Sequence, residues 1–440
     1  MPPTKPYRPA QPDRRDFLKL AMAPMVLPAS TWTGKAPSDR ITVALLGTGR
    51  QGMRPNLDQF LKSPDAQVVA VCDVDSWRMD QARQKVDGFY SKQAKGSYRG
   101  CATYRDFREV LARDDIDAVM ISTPDHWHAP MTILAAQAGK HVCIEKPLTT
   151  CIAHGRALCD AVEAAGVVSR TDSEFRGKPL FWRLAELVRN GHIGKVQRIV
   201  TGVPKELTGN SLPPQQTMPV PEGLDYDMWL GPAFPAPYTE QRVHPHQAWS
   251  RPGWMRIDDY CNGMISNWGS HLNDIAQWVN DSERTGPVSV RGTGTFARGL
   301  WNTVIDFQLE YEYADGVTLR YEIDRPYVRV EGSDGWLEAD YGKPLQASSA
   351  EILEAPTLPG QTSFRDILSD KQDFLQAIRE GRDTLQPAEV GHRTVSLCQI
   401  GLIAIQLGRP LRWDPQAERF LDDNAANALL TRPVREPWTI

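Results

Sequence analysis

No apolar run in this 440-residue chain reaches the roughly eighteen residues that a membrane-spanning helix needs, so no membrane span is expected. An excess of one charge is also lacking. Lys and Arg number 50 against 54 Asp and Glu, and the signs alternate along the chain. A net charge of -4 gives no electrostatic reason to expect nucleic acid or anionic lipid as a partner. Cysteines are few and odd in number, seven at irregular spacing. Several, such as Cys72 and Cys143, fall inside apolar runs, which suits small core residues better than a disulfide framework. His126 and His128 form an H-x-H pair with no third and fourth ligand at suitable spacing, so no metal site is expected. What remains is an ordinary soluble composition, 41% hydrophobic and 24% charged, in a chain too long for one compact core. Two domains and a small-molecule partner are the expectation.

The stretch "DRRDFLKL" (Asp13 to Leu20) sets Arg14 and Arg15 before a weakly apolar "LAMAPMVLPAS". This pattern resembles a twin-arginine export signal, which implies a periplasmic or secreted location; a basic leader without a role is the alternative. Residues 1–39 are therefore set aside from the fold as signal and leader.

From Ile41 the chain reads "ITVALLGTGRQGM", an apolar run feeding into Gly47-x-Gly49-x-x-Gly52. That order is strand, tight turn and helix start. It gives the three glycines the turn, backbone approach to a pyrophosphate, and close packing of helix on strand. Arg50 and Gln51 lie inside the turn. A second apolar run, "VVAVC", leads to Asp73, whose carboxylate can accept from adenosine ribose hydroxyls and would repel a 2′-phosphate. NAD is thus favoured, and Arg78 nearby keeps NADP as the alternative. "DAVMIST", a helical "HAPMTILAAQAG", "HVCIEKP", a helix over 152–165 and "VVSR" continue the alternation, which implies a doubly wound parallel sheet over 40–168. In such sheets the ligand lies beyond the carboxyl ends of the strands, which places Thr123, Pro124, His126, Glu145 and Lys146 at the crevice. His126 is expected to pack on the nicotinamide ribose or to cap a helix. Lys146, at a strand end beside the nicotinamide, can hydrogen-bond a substrate hydroxyl, polarise it and help to move its proton.

Together, the glycine turn, "CDVD", "TPDHWHA" and Glu145-Lys146-Pro147 resemble the glucose-fructose oxidoreductase, inositol dehydrogenase and rhizopine-catabolism (Gfo/Idh/MocA) family. The likeness continues through "RLAELVRNGHIGKV", "DYDMWLGPA", "NWGSHLNDIAQW" and "WDPQAERFLDD", and it is greatest to an exported branch with twin-arginine leaders. The resemblance implies that Glu145 and Lys146 serve the reaction and that the bond before Pro147 is cis. It also implies that His271 acts as acid/base or substrate ligand, with an aspartate four residues before it. Here that position is Asn267, which can hold a hydroxyl but cannot take its proton, so a relay must run through Lys146 and His271.

Residues 169–440 read as a second α/β domain with an open, mostly antiparallel sheet. "VIDFQLEYEYADGVTLRYEI" is a hairpin across Asp315-Gly316. The open face is the usual dimer surface of the family, so a homodimer or homotetramer is expected. Helical spacing from about Gly269 puts Asn267, His271 and Asp274 at i, i+4 and i+7, on one face toward the crevice. Arg176, Trp229, Trp249 and Tyr260 are further candidates for holding a sugar, through aromatic faces and an arginine fork. These features together indicate an exported NAD-dependent oxidoreductase acting on a sugar, glycoside or polyol with tightly held cofactor. Redox-assisted glycoside cleavage of the glycoside hydrolase family 109 kind and a non-catalytic nucleotide-binding sensor are the alternatives.

Overall fold

Apolar runs that end at glycine or an acidic residue become the strands of a parallel sheet. In the computed structural model, which describes residues 39–92, 99–206, 211–364 and 369–440, there are six of them. They are β1 (Ile41–Leu46), β2 (Ala66–Cys72), β3 (Ala102–Tyr104), β4 (Ala118–Ile121), β5 (His141–Glu145) and β6 (Ser169–Asp172). They pair in the order β3-β2-β1-β4-β5-β6, every pair parallel. Burial is nearly continuous along β1 and complete along β4, as a sheet covered on both faces requires. One face packs around Leu46, Val119, Ile144 and Leu158, the other around Val43, Phe60, Val68 and Val86. The strand order reverses between β1 and β4, and a crevice opens beyond their carboxyl ends. Arg14 and Arg15 lie outside the described residues.

The first sheet runs past the expected boundary at residue 168, because β6 ends at Asp172. Two of its residues bind a helix from much later in the chain, Asp370–Glu380: Arg170 pairs with Asp370 and Asp373, and Asp172 with Lys371. That helix sets Phe374 and Leu375 beneath the sheet.

The second sheet comprises β7 (Val196–Val203), β8 (Ser289–Phe296), β9 (Val304–Glu312), β10 (Thr318–Ile323), β11 (Tyr327–Gly332), β12 (Trp336–Asp340), β13 (Gln346–Ala347), β14 (Leu411–Asp414) and β15 (Arg419–Phe420). Its order is β13-β12-β11-β7-β10-β9-β8-β14-β15, antiparallel except where β7 meets β10. The β9–β10 hairpin turns at Asp315 and Gly316: Gly316 has φ +87°, and the Asp315 carboxylate accepts from the Val317 N–H at 3.1 Å. Along β9 burial alternates, with Phe307, Leu309 and Tyr311 inward and Gln308, Glu310 and Glu312 outward. The outer face carries ion pairs such as Arg291–Glu310 and Arg320–Glu322, both 2.6 Å. The inner core takes in the helices Pro179–Arg189, Gly269–Val279 and Ala388–Leu407. The last of these is buried almost all round, with Val395 in the core of the first sheet and Leu397, Ile400 and Ile403 in that of the second. The seven cysteines are buried and none is disulfide-bonded. No helix among the described residues is long and apolar enough to cross a membrane.

Candidate active site

A cavity of about 370 Å3 starts at the glycine turn and extends to the helix that carries His271. At its first end Gly47 has φ +89°, and a Cβ there would lie 2.7 Å from the Ser122 backbone. A Cβ on Gly52 would lie 2.3 Å from the Gly47 carbonyl. Gly49 differs: nothing stands within 4 Å of where its Cβ would be. Two glycines are therefore required by the protein's own packing, while the third leaves open a cradle that a pyrophosphate can enter. Arg50 and Gln51 line this end, with Arg50 exposed.

Asp73 closes the same end. Its Oδ2 accepts from the Thr48 N–H at 2.7 Å and the Thr48 hydroxyl at 2.9 Å, and its Oδ1 from the Asp75 N–H at 2.9 Å. The carboxylate is thus fixed at the wall while retaining a lone pair on Oδ1 for a ribose hydroxyl. Asp75 caps the next helix by accepting from the Trp77 and Arg78 N–H groups. Burial opposes its charge, yet the His244 ring at 2.9 Å and Arg78 hold its carboxyl below the usual range. Arg78 lines the cavity but is already engaged: Nη2 donates to the carbonyls of Pro245 (3.1 Å) and Ala248 (2.9 Å), and the guanidinium lies over Trp249. The partner expected to accommodate a 2′-phosphate is committed elsewhere, so the donor set fits NAD.

At the other end, Thr123 and Pro124 follow β4, and Glu145 and Lys146 end β5. The Lys146–Pro147 bond is cis. Buried Asn56 donates to Glu145 Oε1 and to the Ser122 hydroxyl, both at 2.9 Å. Burial, with the Asp172 charge beside it, pushes the Glu145 carboxyl up to about 7. Lys146 Nζ donates to the backbone carbonyl of Asn267 at 3.3 Å. His271 Nδ1 donates to the Ser173 carbonyl, which fixes the tautomer and leaves the Nε2 lone pair free. The His271 ring stacks on Phe175 at 4.5 Å, and burial together with the Lys146 charge holds its pKa well below the ordinary value. A neutral imidazole acceptor and an ammonium donor thus face one space.

Several residues are placed otherwise than expected, although Asn267 does line the cavity. Asn267 ends a separate turn, Met264–Asn267, and meets Lys146 through its carbonyl, not its amide. Asp274 is fully buried one turn beyond His271, and Arg176 grips it with Nε–Oδ2 at 2.8 Å and Nη2–Oδ1 at 2.7 Å. Neither lines the cavity; the Arg fork serves an internal carboxylate instead of a sugar. Tyr260 is buried against Trp229 and His126, and Trp249 packs on Trp77, so neither lines the cavity either. His126 turns away from the nicotinamide end: its Nε2 lies 3.1 Å from the Trp229 carbonyl, and its ring borders a second cavity of about 300 Å3. Trp229 does line the main cavity. Among the described residues no three His, Cys, Asp or Glu side chains cluster as a metal site. His128 has Nδ1 2.8 Å from the Pro147 carbonyl and Nε2 3.1 Å from that of Thr123.

Asp125, Glu174, Trp268, Tyr341 and His244 also line the cavity without having been singled out from the sequence. Burial pushes the Asp125 carboxyl up to about 8 despite the Lys146 charge nearby. Its place inside "TPDHWH" was the available signal; Glu174 and His244 sit in stretches without periodicity.

Residues 41–172 match the NAD-binding Rossmann fold of the Gfo/Idh/MocA oxidoreductase family, and residues 188–440 match that family's C-terminal alpha/beta domain. A glycosyl hydrolase family 109 protein of Shewanella sp. strain ANA-3 is 30% identical over 179 residues, which cover 36% of this chain and 38% of that protein. The match thus spans well under half of the relative. The crystal structure of GenD2 from gentamicin A biosynthesis, in complex with NAD, superposes with a TM-score of 0.62 at 17% identity over 87% of this chain and 98% of that one. The aldose-aldose oxidoreductase of Caulobacter crescentus, complexed with glycerol, gives 0.58 at 19% identity over 85% and 99%. At these identities the two structures show a common fold.

Proposed function

This chain belongs to the Gfo/Idh/MocA oxidoreductase family with an NAD-binding Rossmann domain, and on that premise we propose that it is an exported enzyme that oxidises a hydroxyl of a sugar, glycoside or polyol. The observation that carries the reading is the meeting of Lys146, His271 and the Asn267 carbonyl in the cavity that begins at Gly49. When bound, NAD supplies the acceptor for the hydride of the substrate C–H. The chain's own residues do the rest. Gly49 admits the pyrophosphate, Asp73 takes a ribose hydroxyl, Lys146 holds the substrate oxygen as its charge grows, and His271 Nε2 accepts the hydroxyl proton. Trp229 and Trp268 offer apolar faces to a sugar ring.

Arg14 and Arg15 support export. Twin-arginine transport carries folded proteins, so the dinucleotide can cross in place, and outside the inner membrane a reduced cofactor must be reoxidised within the enzyme. The similarity to family 109 proteins favours one way to close that cycle. Oxidation acidifies the neighbouring C–H, its deprotonation expels the aglycone, and water addition followed by return of the hydride restores the sugar and the cofactor. Self-association through the open face of the second sheet belongs to the same proposal. The test is absorbance at 340 nm of the cofactor-loaded protein mixed with sugars, polyols and aryl glycosides. A rise with a free sugar or polyol supports oxidation, and aglycone release without net 340 nm change supports the cleavage cycle. No change in either signal contradicts the proposal.

A further inference from the structure

Residues 243–254 form a loop whose two ends meet and whose middle reaches the first sheet's side of the cavity. At the base the Trp254 N–H donates to the Val243 carbonyl at 3.4 Å, and Val243 is fully buried in a cluster with Ile257, Tyr260 and Trp301. Gly253 closes that base. A Cβ there would lie 1.8 Å from the Gln241 carbonyl oxygen, which also accepts from the Trp301 indole N–H at 3.2 Å. Surface loops of this length with joined ends are compact units and often functional.

The middle of the loop is fastened to the helix Ser76–Ser91, which starts just past Asp73. Arg78 Nη2 donates to the carbonyls of Pro245 (3.1 Å) and Ala248 (2.9 Å), and His244 Nε2 stands 2.9 Å from Asp75 Oδ2. The Trp249 ring meets that of Trp77 at 5.1 Å, with the Arg78 guanidinium over it. Gln247, between the two carbonyls that Arg78 holds, is a non-glycine residue at φ +45°. Such backbone persists only where its surroundings impose it, and it gathers at clamps and switch segments. His244, Ser250, Arg251 and Pro252 line the same cavity as Asp73 and Val74. We propose that residues 243–254 are a strap that closes the adenosine end of the cavity and swings out on its base to let NAD in or out, with Arg78 and Trp249 as its latch. NAD is then captive while the latch holds, as a redox cycle closed within the enzyme requires. The inference rests on NAD binding in this cavity, and on neither the substrate nor export.

The latch joins protein to protein, so weakening it opens the strap equally with and without NAD. Entry and release should then quicken by the same factor while their ratio, Kd, stays put. A loop that only touched NAD would alter release alone. The test is stopped-flow mixing of NADH with the full chain freed of cofactor, and chase of the NADH-loaded chain with excess NAD, both read from NADH fluorescence. In wild type the observed entry rate should level off as NADH rises, at the rate of strap movement. Arg78→Met, which removes both carbonyl bonds, should raise entry and release at least about tenfold. Trp249→Ala should raise both about fivefold or more, and it touches no cavity wall. Kd should stay within about threefold in each. Wild-type entry that rises in proportion to NADH without limit, faster release with unchanged entry, or wild-type rates in both variants would overturn the strap. A folded wild type that takes up no NADH would overturn the cofactor reading of the cavity, and the strap's role with it.

Discussion

Lys146 and Asn267 meet across the cavity, the lysine ammonium donating to the asparagine's backbone carbonyl over 3.3 Å. The contact joins the end of β5 to the turn ahead of His271, so the cofactor-side and substrate-side sheets share one reacting space. The contact runs through the backbone at 267, so it does not depend on the amide that stands there where the family resemblance implies a carboxylate. The carbonyl that steadies Lys146 is common to any residue at that position.

Lys146→Met should therefore cost about two to four orders of magnitude in kcat, the range for a positioned proton-moving or oxyanion-holding group. Retention of NAD should be unchanged, because the glycine turn and Asp73 hold the nucleotide. Turnover within a few-fold of wild type would remove Lys146 from the reaction.

Asp73→Ala takes away an acceptor for a ribose hydroxyl and also the partner of the Thr48 N–H and hydroxyl. NAD affinity should fall about ten- to a hundredfold, the scale of one or two hydrogen bonds to a charged group. NADP should gain little, because Arg78 is engaged by the carbonyls of Pro245 and Ala248. Fluorescence titration with both dinucleotides measures this; a variant that binds NADP better than wild type binds NAD would contradict the committed role of Arg78.

Arg176→Ala should act on stability and not on KM. Removing it leaves Asp274 buried without its bidentate partner, which costs about 3–5 kcal/mol. Urea unfolding should show the loss, with KM for the substrate within about twofold in protein that remains folded. A selective rise in KM without destabilisation would return Arg176 to the substrate.

Asp125 gives the stability a pH dependence of known sign. Its carboxyl titrates at about 8 in the folded protein and near 4 in the unfolded chain. Between those values the native state holds the extra proton, so this residue's contribution falls as pH rises from about 4 to about 8. Asp125→Asn has no such proton to lose. Its stability relative to wild type should grow by at least about 1 kcal/mol between pH 5 and pH 8, read from urea midpoints. A difference that stays flat with pH would contradict the buried, protonated acid.

The sequence revealed much of the scaffold because parallel strands and their turns are local signals. "ITVALLGTGRQGM" and the hairpin across Asp315-Gly316 carry their geometry in adjacent residues. Sidedness was less legible. The i, i+4, i+7 spacing groups Asn267, His271 and Asp274, yet it cannot say which neighbour faces water and which faces Arg176, 98 residues away in sequence. The same limit hides the helix Asp370–Glu380 beneath the first sheet, since Arg170 and Asp172 show nothing locally of their distant partners. Glu174 takes its left-handed backbone from the bend that aims the Ser173 carbonyl at His271, a demand of tertiary structure with no local pattern.

The most direct test of the account is the cofactor content of protein recovered from the exported fraction, denatured and assayed for NAD(H) in the supernatant. The account predicts close to one NAD(H) per chain, carried across in the folded protein and held by the turn at Gly47, Gly49 and Gly52. Exported protein that is empty and takes up no added NAD would contradict it.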